Sequence, residues 1–293
     1  MAADPSSISE RARAKINLTL HVTGRRDDGY HLLESVVVFA DVGDEIAVTP
    51  SLDGTLTLDY DGPFADLLPT PADNLILRAA AALKQTFSIG TGAHIRLTKI
   101  LPVASGIGGG SADAAATLRA LAQLWNIDIN APACRRIAQS LGADVPVCLA
   151  AHPAMMTGTG ETLASIPTLP DTAMVLVNPG VEVSTPAVFK ARSAPFSTTA
   201  GWPQETADIE ALVDAIRARH NDLQAPAIGL APEIGVVLEV LGRAPGARLA
   251  RMSGSGATCF ALCASLADAE ACASAVRQAY PTWWVTAAGL QTT

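Results

Sequence analysis

Charge is scarce in this chain. Only 16% of its 293 residues are Asp, Glu, Lys or Arg, against roughly a quarter in an average soluble domain. The 20 basic residues are outnumbered by 28 acidic ones, for a formal net charge of −8. A surface that coats nucleic acid needs a positive stripe to displace counterions, so no nucleic-acid partner is expected. Aromatics are scarcer still, at 4%. No apolar run approaches the roughly 20 residues of a membrane-spanning helix, so no membrane partner is expected. Stretches such as Val145 to Ala151 are only of core length. Met1 to Glu10 lacks the basic start and apolar run of a secretory leader. The five cysteines, Cys134, Cys148, Cys259, Cys263 and Cys272, form no Cys-x-x-Cys pair. A zinc site or a disulfide framework is therefore not expected, and reduced core thiols are. His21, His94, His152 and His220 show no transition-metal spacing. Together these absences predict a cytoplasmic protein.

What the chain has is apolar content, 49%, too much for disorder. Its length predicts two domains, divided at 168/169. Ala12 to Val22 alternates apolar residues with Arg13, Lys15, Asn17, Thr19 and His21, the period of a half-buried strand. Shorter strands are expected at Ser35–Ala40, Glu45–Thr49, Thr55–Tyr60 and Ala93–Thr98. Asp73 is placed to cap a helix through Leu83, and further helices are expected over Ala112–Trp125 and Pro132–Leu141, the latter stopped by Gly142. Beyond them, strands are expected at Ala173–Val177, Arg248–Met252, Thr258–Cys263 and Trp283–Ala287. Helices are expected near Ile209–His220, Pro232–Leu241 and Ala267–Tyr280, and Ala191–Thr206 reads as a loop. The fold class is α+β.

Ser105-Gly-Ile-Gly-Gly-Gly-Ser111 falls between a strand and a helix. Glycines let backbone approach a ligand closely, and a helix start offers unpaired N–H groups to phosphate. The same string also suits a plain tight turn. A Rossmann fingerprint needs a third glycine that is absent here, and a Walker loop needs Gly-Lys-Ser/Thr, which is also absent.

Three stretches taken together are more specific. They are Ala14-Lys-Ile-Asn-Leu18 with Gly29-Tyr-His31; Leu101-Pro-Val-Ala-Ser-Gly-Ile-Gly-Gly-Gly-Ser-Ala-Asp-Ala-Ala115 with Leu141-Gly-Ala-Asp-Val-Pro146; and Met252-Ser-Gly-Ser-Gly-Ala-Thr258. Over roughly Arg11 to Gly289 the chain resembles the GHMP family of small-molecule kinases, named for galactokinase, homoserine, mevalonate and phosphomevalonate kinases. The resemblance implies two α+β domains with the active site in the cleft between them. It implies ATP as co-substrate, Mg2+ as cofactor, and phosphorylation of a hydroxyl on a small molecule, a cytidine diphosphate-linked methylerythritol, by a monomer or homodimer. Two alternatives stay open: a kinase of another small alcohol such as homoserine or mevalonate, and a non-catalytic nucleotide-binding module.

The resemblance also assigns residues. Asp144 matches a catalytic aspartate within reach of the attacking hydroxyl, and Lys15 a lysine that stabilises developing negative charge. Asn17 on the same strand face would orient substrate. Tyr30, His31 and Phe189 match positions that hold the cytosine base, with Thr185 in the same segment. Asn74 and Lys99 match positions near adenine, while Pro102, Ser105, Gly106, Gly108, Gly109, Gly110 and Ser111 form the loop that wraps the ATP phosphates. Each has a plainer reading: Asp144 as a turn residue, Lys15 as a solvated lysine, Asn74 as helix-start chemistry, Lys99 as a strand-end charge. Ala104 and Ser105 stand where other members carry glycines. Ser253-Gly-Ser-Gly256 is expected beside the glycine loop. Asp113 favours a helix start or lies near magnesium, and no residue set singles out a metal ligand.

Overall fold

A computed structural model describes residues 7–68, 70 and 74–292. In chain order the elements are β1 (Ile8–Asn17), β2 (His21–Arg25), β3 (His31–Ser51), β4 (Leu56–Asp61), α1 (Leu75–Thr86), β5 (Gly92–Thr98), α2 (Gly109–Leu124), α3 (Pro132–Leu141) and α4 (Val145–Ala150). Then come β6 (Ala154–Gly158), β7 (Thr162–Ser165), β8 (Ala173–Asn178), α5 (Thr185–Ala191), α6 (Ile209–Arg217), α7 (Gln224–Leu230), α8 (Glu233–Arg243), β9 (Ala247–Met252), β10 (Cys259–Cys263), α9 (Leu266–Ala279) and β11 (Trp284–Gly289). Strands and helices mix without a regular repeat, as the α+β class requires.

The chain packs as two compact units that do not follow a single cut. One takes in residues up to Ala14, Gly43–Val103 and Gly108–Ala151; the other takes in Lys15–Val42, Ala104–Ile107 and the chain from His152 onward.

In the first unit, β5 pairs antiparallel with the second half of β3, Glu45 opposite Thr98, and parallel with β4. Helices α1, α2, α3 and α4 pack together beside them. Asn74 caps α1 by accepting the N–H of Ile76, a bond worth about 1 kcal/mol. Asp73, the expected cap, lies outside the described residues. Helix α2 begins inside the glycines rather than at Ala112, and nearly every residue from Ala112 to Ala122 is buried. A run of alanines makes that possible, since a methyl-sized side chain lets helices approach on several faces at no rotamer cost. By contrast α3 buries only the stripe Cys134, Ile137, Ala138 and Leu141 and stops at Gly142, as its periodicity predicts.

The second unit is built on the antiparallel sheet β11-β8-β10-β9. All six residues of β8 are buried; α8 and α9 pack against this sheet, on the face that carries Ala173, Val175 and Val177. The core runs through Val175, Val177, Ile234, Val237, Ala261, Cys272 and Val276. All five cysteines are free and buried, acting as small apolar residues. Here β2 forms a hairpin with the first part of β3, Arg25 opposite His31, and β3 pairs with β6, which pairs with β7.

Two segments differ from their sequence reading. Ser35–Ala40 and Glu45–Thr49 are parts of the single strand β3, which runs through both units without interruption. The strand expected at Ala12–Val22 breaks after Asn17, and its polar face is not solvated: Lys15, Asn17, Thr19 and His21 are each at most 3% exposed.

Gly43 lies against backbone in the first unit. A Cβ there would lie 2.3 Å from the carbonyl oxygen of Ala12 and 2.8 Å from Arg13 Cα. Both are backbone atoms and cannot swing aside. Gly43→Ala is therefore expected to cost more than about 3 kcal/mol, read as a drop in Tm of several degrees by calorimetry.

Candidate active site

The predicted residues divide between the two units. In the second unit, β1 ends by burying an ammonium and an amide. Lys15 Nζ donates to Asn17 Oδ1 at 3.0 Å, and Asn17 Nδ2 donates to Ser35 Oγ at 2.7 Å. The backbone N–H of Asn17 donates to Ser253 Oγ at 3.1 Å, and that hydroxyl donates to the carbonyl of Gly106 at 3.1 Å. Lys15 N–H donates to the carbonyl of Ile107, and Thr258 N–H to that of Ser105. So the strand, the start of the glycine loop and the Ser253–Thr258 turn are one hydrogen-bonded body. The expectation that the second glycine cluster packs beside the first is met here.

Close packing explains why this turn is glycine-rich. Gly106 has φ +75° and a Cβ on it would sit 2.5 Å from the carbonyl oxygen of Gly256. Ala104, where a glycine was the alternative, adopts φ +51°, a left-handed conformation that costs an alanine about 1 kcal/mol or more. Asn221 closes the turn from the other side by donating to the carbonyls of Met252 and Gly254.

The same unit brings His31 and Phe189 together. Their rings stack with centroids 4.6 Å apart and planes at 19°. His31 is delivered by the β2–β3 hairpin, whose turn is closed by the N–H of Arg26 donating to the carbonyl of Tyr30, and Phe189 by α5. Burial lowers the His31 pKa, with Arg25 and Arg192 adding to the effect, so the ring is held neutral. A neutral imidazole offers one donor and one acceptor. Tyr30 is 66% exposed and makes no stack with this pair. On the first turn of α5, the Thr185 hydroxyl shares a 2.7 Å hydrogen bond with that of Ser255, tying the helix to the Ser253–Gly256 turn.

In the first unit, Gly108 (φ +67°) leads into α2, so Gly109, Gly110 and Ser111 form its first turn. Their N–H groups have no i−4 partner within the helix, the arrangement that suits an anion. Pro102 is buried just ahead of the loop. Asn74 joins its cap to a second bond, Nδ2 donating to the Tyr60 hydroxyl at 2.9 Å. Asp144 is half-buried at the N-terminus of α4, and its side chain does not cap that helix.

Lys99 is 2% exposed and lies between two carboxylates. Its Nζ donates to Asp44 Oδ2 at 2.5 Å and to Asp113 Oδ2 at 2.8 Å. Asp44 Oδ1 also accepts the backbone N–H groups of Ile100 and Leu101. The ammonium is thus the centre of a buried ion trio under α2, with Gly109 close enough that a Cβ there would lie 3.2 Å from Nζ. Asp113, read from sequence as a helix-start charge, is bound inward. Sequence reading missed Asp44, Ser35 and Asn221, since each acts on a partner far along the chain and none sits in a recognisable local pattern.

The family sequence models described as "GHMP kinases N terminal domain" and "GHMP kinases C terminal" match residues 74–152 and 205–282. A 4-diphosphocytidyl-2-C-methyl-D-erythritol kinase of Paramagnetospirillum magneticum is 50% identical over 97% of this chain and 99% of its own. The chain belongs to the GHMP kinases. A relative of the same description from Paracoccus denitrificans is 52% identical over 96% of each chain. Among solved structures, a 4-(cytidine 5'-diphospho)-2C-methyl-D-erythritol kinase matches this GHMP kinase with a TM-score of 0.81 at 32% identity, covering 98% of this chain and 100% of that one. The mevalonate kinase of L. major, solved with R-mevalonate, shares the fold with a TM-score of 0.67 at 16% identity, covering 98% of each chain.

The ion trio gives this GHMP kinase a pH signature. Burial raises the Asp113 pKa well above the ordinary carboxylate range, with Asp44 adding to it and Lys99 opposing. Burial also works against the charge on Lys99, but Asp113 and Asp44 outweigh it and hold its pKa above the usual value. A carboxyl whose pKa is raised by folding keeps a proton that the unfolded chain releases, so its contribution to stability is full below about pH 4 and is lost as pH rises through the folded value. Asp113→Asn, which mimics the protonated form, is expected to flatten the fall of Tm between about pH 5 and pH 8. Thermal melts across that range check it; an unchanged slope removes the assignment.

Proposed function

We propose that this GHMP kinase transfers the γ-phosphoryl group of ATP to the 2-hydroxyl of 4-diphosphocytidyl-2-C-methyl-D-erythritol, in the non-mevalonate route to isoprenoid precursors. Full-length similarity to relatives of that description supports the reading. The observation in the geometry that carries it is the stacked His31–Phe189 pair. The outer faces of the stacked pair suit a pyrimidine, which can stack there while the imidazole edge offers one donor and one acceptor. Homoserine and mevalonate have no ring to place there.

Each assigned side chain has a chemical task. Asp144 accepts or orients the proton of the attacking hydroxyl. Lys15 supplies positive charge where the transferring phosphoryl group becomes more negative, and Asn17 orients the acceptor. Gly108, Gly109, Gly110 and Ser111 offer N–H groups to the ATP phosphates, with Ser105 and Gly106 shaping the loop behind them. Pro102, Asn74 and Lys99 are assigned to the nucleotide side; the bonds of Asn74 to Tyr60 and of Lys99 to Asp44 and Asp113 support a structural share in it for those two. Tyr30 and Thr185 complete the acceptor side.

Magnesium belongs to this reading as the ion carried by the nucleotide. It keeps most of its shell from phosphate and water and takes one or two protein oxygens. The described residues contain no cluster of three or more His, Cys, Asp or Glu side chains that would bind a metal without the nucleotide. The Ser111 hydroxyl, half-buried on the first turn of α2, is a hard oxygen of the kind that fits. When bound, the ion neutralises charge on the transferring group.

In sequence terms the proposal assigns 1–168 to the ATP-binding half and 169–293 to the other. The two family matches, 74–152 and 205–282, fall on opposite sides of that line. A cytoplasmic monomer or homodimer acting on small molecules completes the reading. It is supported by the free cysteines, the absence among the described residues of a helix long and apolar enough to cross a membrane, and the net charge of −8.

Purified protein with magnesium-ATP is expected to release ADP when given the cytidyl substrate. Turnover of homoserine or mevalonate in its place would overturn the acceptor assignment. Asp144→Asn is expected to lower kcat by about 100-fold or more with ATP affinity, measured by calorimetry, within about twofold. Phe189→Ala is expected to raise KM for the cytidyl substrate about tenfold, the equivalent of roughly 1.4 kcal/mol of lost stacking. An unchanged KM would remove Phe189 from the base site.

A further inference from the structure

Lys15 and Asn17 are hydrogen-bonded to each other, and something must fix which end of the amide the ammonium meets. A side-chain amide presents an oxygen or an NH2 group in nearly the same shape, so its orientation is set by its neighbours. Here the donors and acceptors run consistently in only one direction. The carbonyl of Thr19 can only accept, and the Ser35 hydroxyl donates to it at 2.6 Å. Ser35 Oγ is left as an acceptor, and Asn17 Nδ2 fills that role at 2.7 Å. Asn17 Oδ1 therefore faces Lys15 Nζ, 3.0 Å away, and an ammonium can only donate. Reversing the amide would set NH2 against ammonium, and oxygen against an oxygen whose proton points elsewhere.

The chain of bonds is anchored at both ends. Thr19 is held by its own hydroxyl, which accepts the N–H of Val36 at 3.1 Å. The backbone of Asn17 is held by Ser253. Ser35 is completely buried and Asn17 is 1% exposed, so bulk water does not replace a lost partner. In the sequence Ser35 reads only as the first residue of a strand.

We propose that Ser35 is a positioning residue for phosphoryl transfer. Its hydroxyl sets the Asn17 amide, and through it the Lys15 ammonium, in the orientation that the reaction uses. This rests on the assignment of Lys15 and Asn17 to the reacting groups made under the proposed function.

The test uses the full chain, magnesium-ATP and whichever alcohol the unmodified protein phosphorylates. Ser35→Ala is expected to lower kcat about tenfold or more, with KM for ATP and for the alcohol each changing less than about twofold. Ser35→Thr keeps the hydroxyl and is expected to recover most of the loss. In an Asn17→Ala background, Ser35→Ala is expected to add less than about twofold, because its effect passes through Asn17. An unchanged kcat in Ser35→Ala, or the same loss in the Asn17→Ala background, overturns the proposal. Should Ser35→Ala fail to fold, Ser35→Cys, a weaker acceptor of similar size, takes its place with the same expectations.

A second readout does not depend on turnover. The side-chain amide protons of Asn17, identified by their loss in Asn17→Ala, are expected to exchange with solvent at least about tenfold faster in Ser35→Ala than in the unmodified chain. Equal exchange rates overturn the proposal. A chain that phosphorylates a different alcohol, or none, refutes the acceptor assignment and leaves the exchange rates to decide the role of Ser35.

Discussion

The structure depends on keeping an ammonium and an amide inside protein without leaving any of their polar atoms unmatched. Burying an unpaired polar group costs about 1–3 kcal/mol, and an unpaired charge costs more. Lys15 and Asn17 are both almost fully buried at the end of β1. Their neighbours follow from that requirement. Ser35 must be a hydroxyl, Ser253 must be placed to accept from Asn17 N–H while donating to Gly106, and the two glycine turns must lie close enough for those bonds to form. The glycines at 106 and 256 permit the approach.

The first unit meets the same problem by a different route. Lys99 is buried with the carboxyl groups of Asp44 and Asp113 rather than with an amide and hydroxyls. An ion trio of this kind contributes less net stability than its short distances suggest, because desolvation offsets much of the attraction. It supplies geometry instead. Asp44 ties the end of β5 to the backbone that follows it, and Asp113 ties the trio to the first turns of α2. The first turn of α2, proposed to offer its N–H groups to phosphate, is thereby fixed from beneath.

The acidic balance of the chain fits its proposed substrates. A protein of net charge −8 can bind polyphosphates when the binding charge is local. Backbone N–H groups, a helix start and one lysine act over a few ångströms, within a Debye length of about 8–10 Å, whereas the net charge acts through screened solvent. A net charge of −8 is therefore compatible with the proposed small-molecule phosphate site.

Much was legible in the sequence. The α+β class, the limits of α3 and the near limits of β5 followed from local patterns, because periodicity and turn chemistry are short-range properties of the backbone, whereas the adjacency of the two glycine clusters was expected only from the family resemblance. The strand face carrying Lys15 and Asn17 was legible as a face but not as a buried one. Alternation of polar and apolar residues marks two sides of a strand without saying what covers the second side. That was decided by Ser35, Ser253 and the glycine turns, which come from distant parts of the chain. Likewise Lys99, which read either as an adenine-side residue or as a strand-end charge, is enclosed by Asp44 and Asp113, and the contact between His31 and Phe189, 158 residues apart in sequence, came only from folding, which brings their ring centroids to 4.6 Å. The sequence by itself determined the elements and the chemistry on offer. The tertiary structure decided which polar groups leave water together, because burial and hydrogen-bond direction belong to pairs of residues that only folding brings into contact.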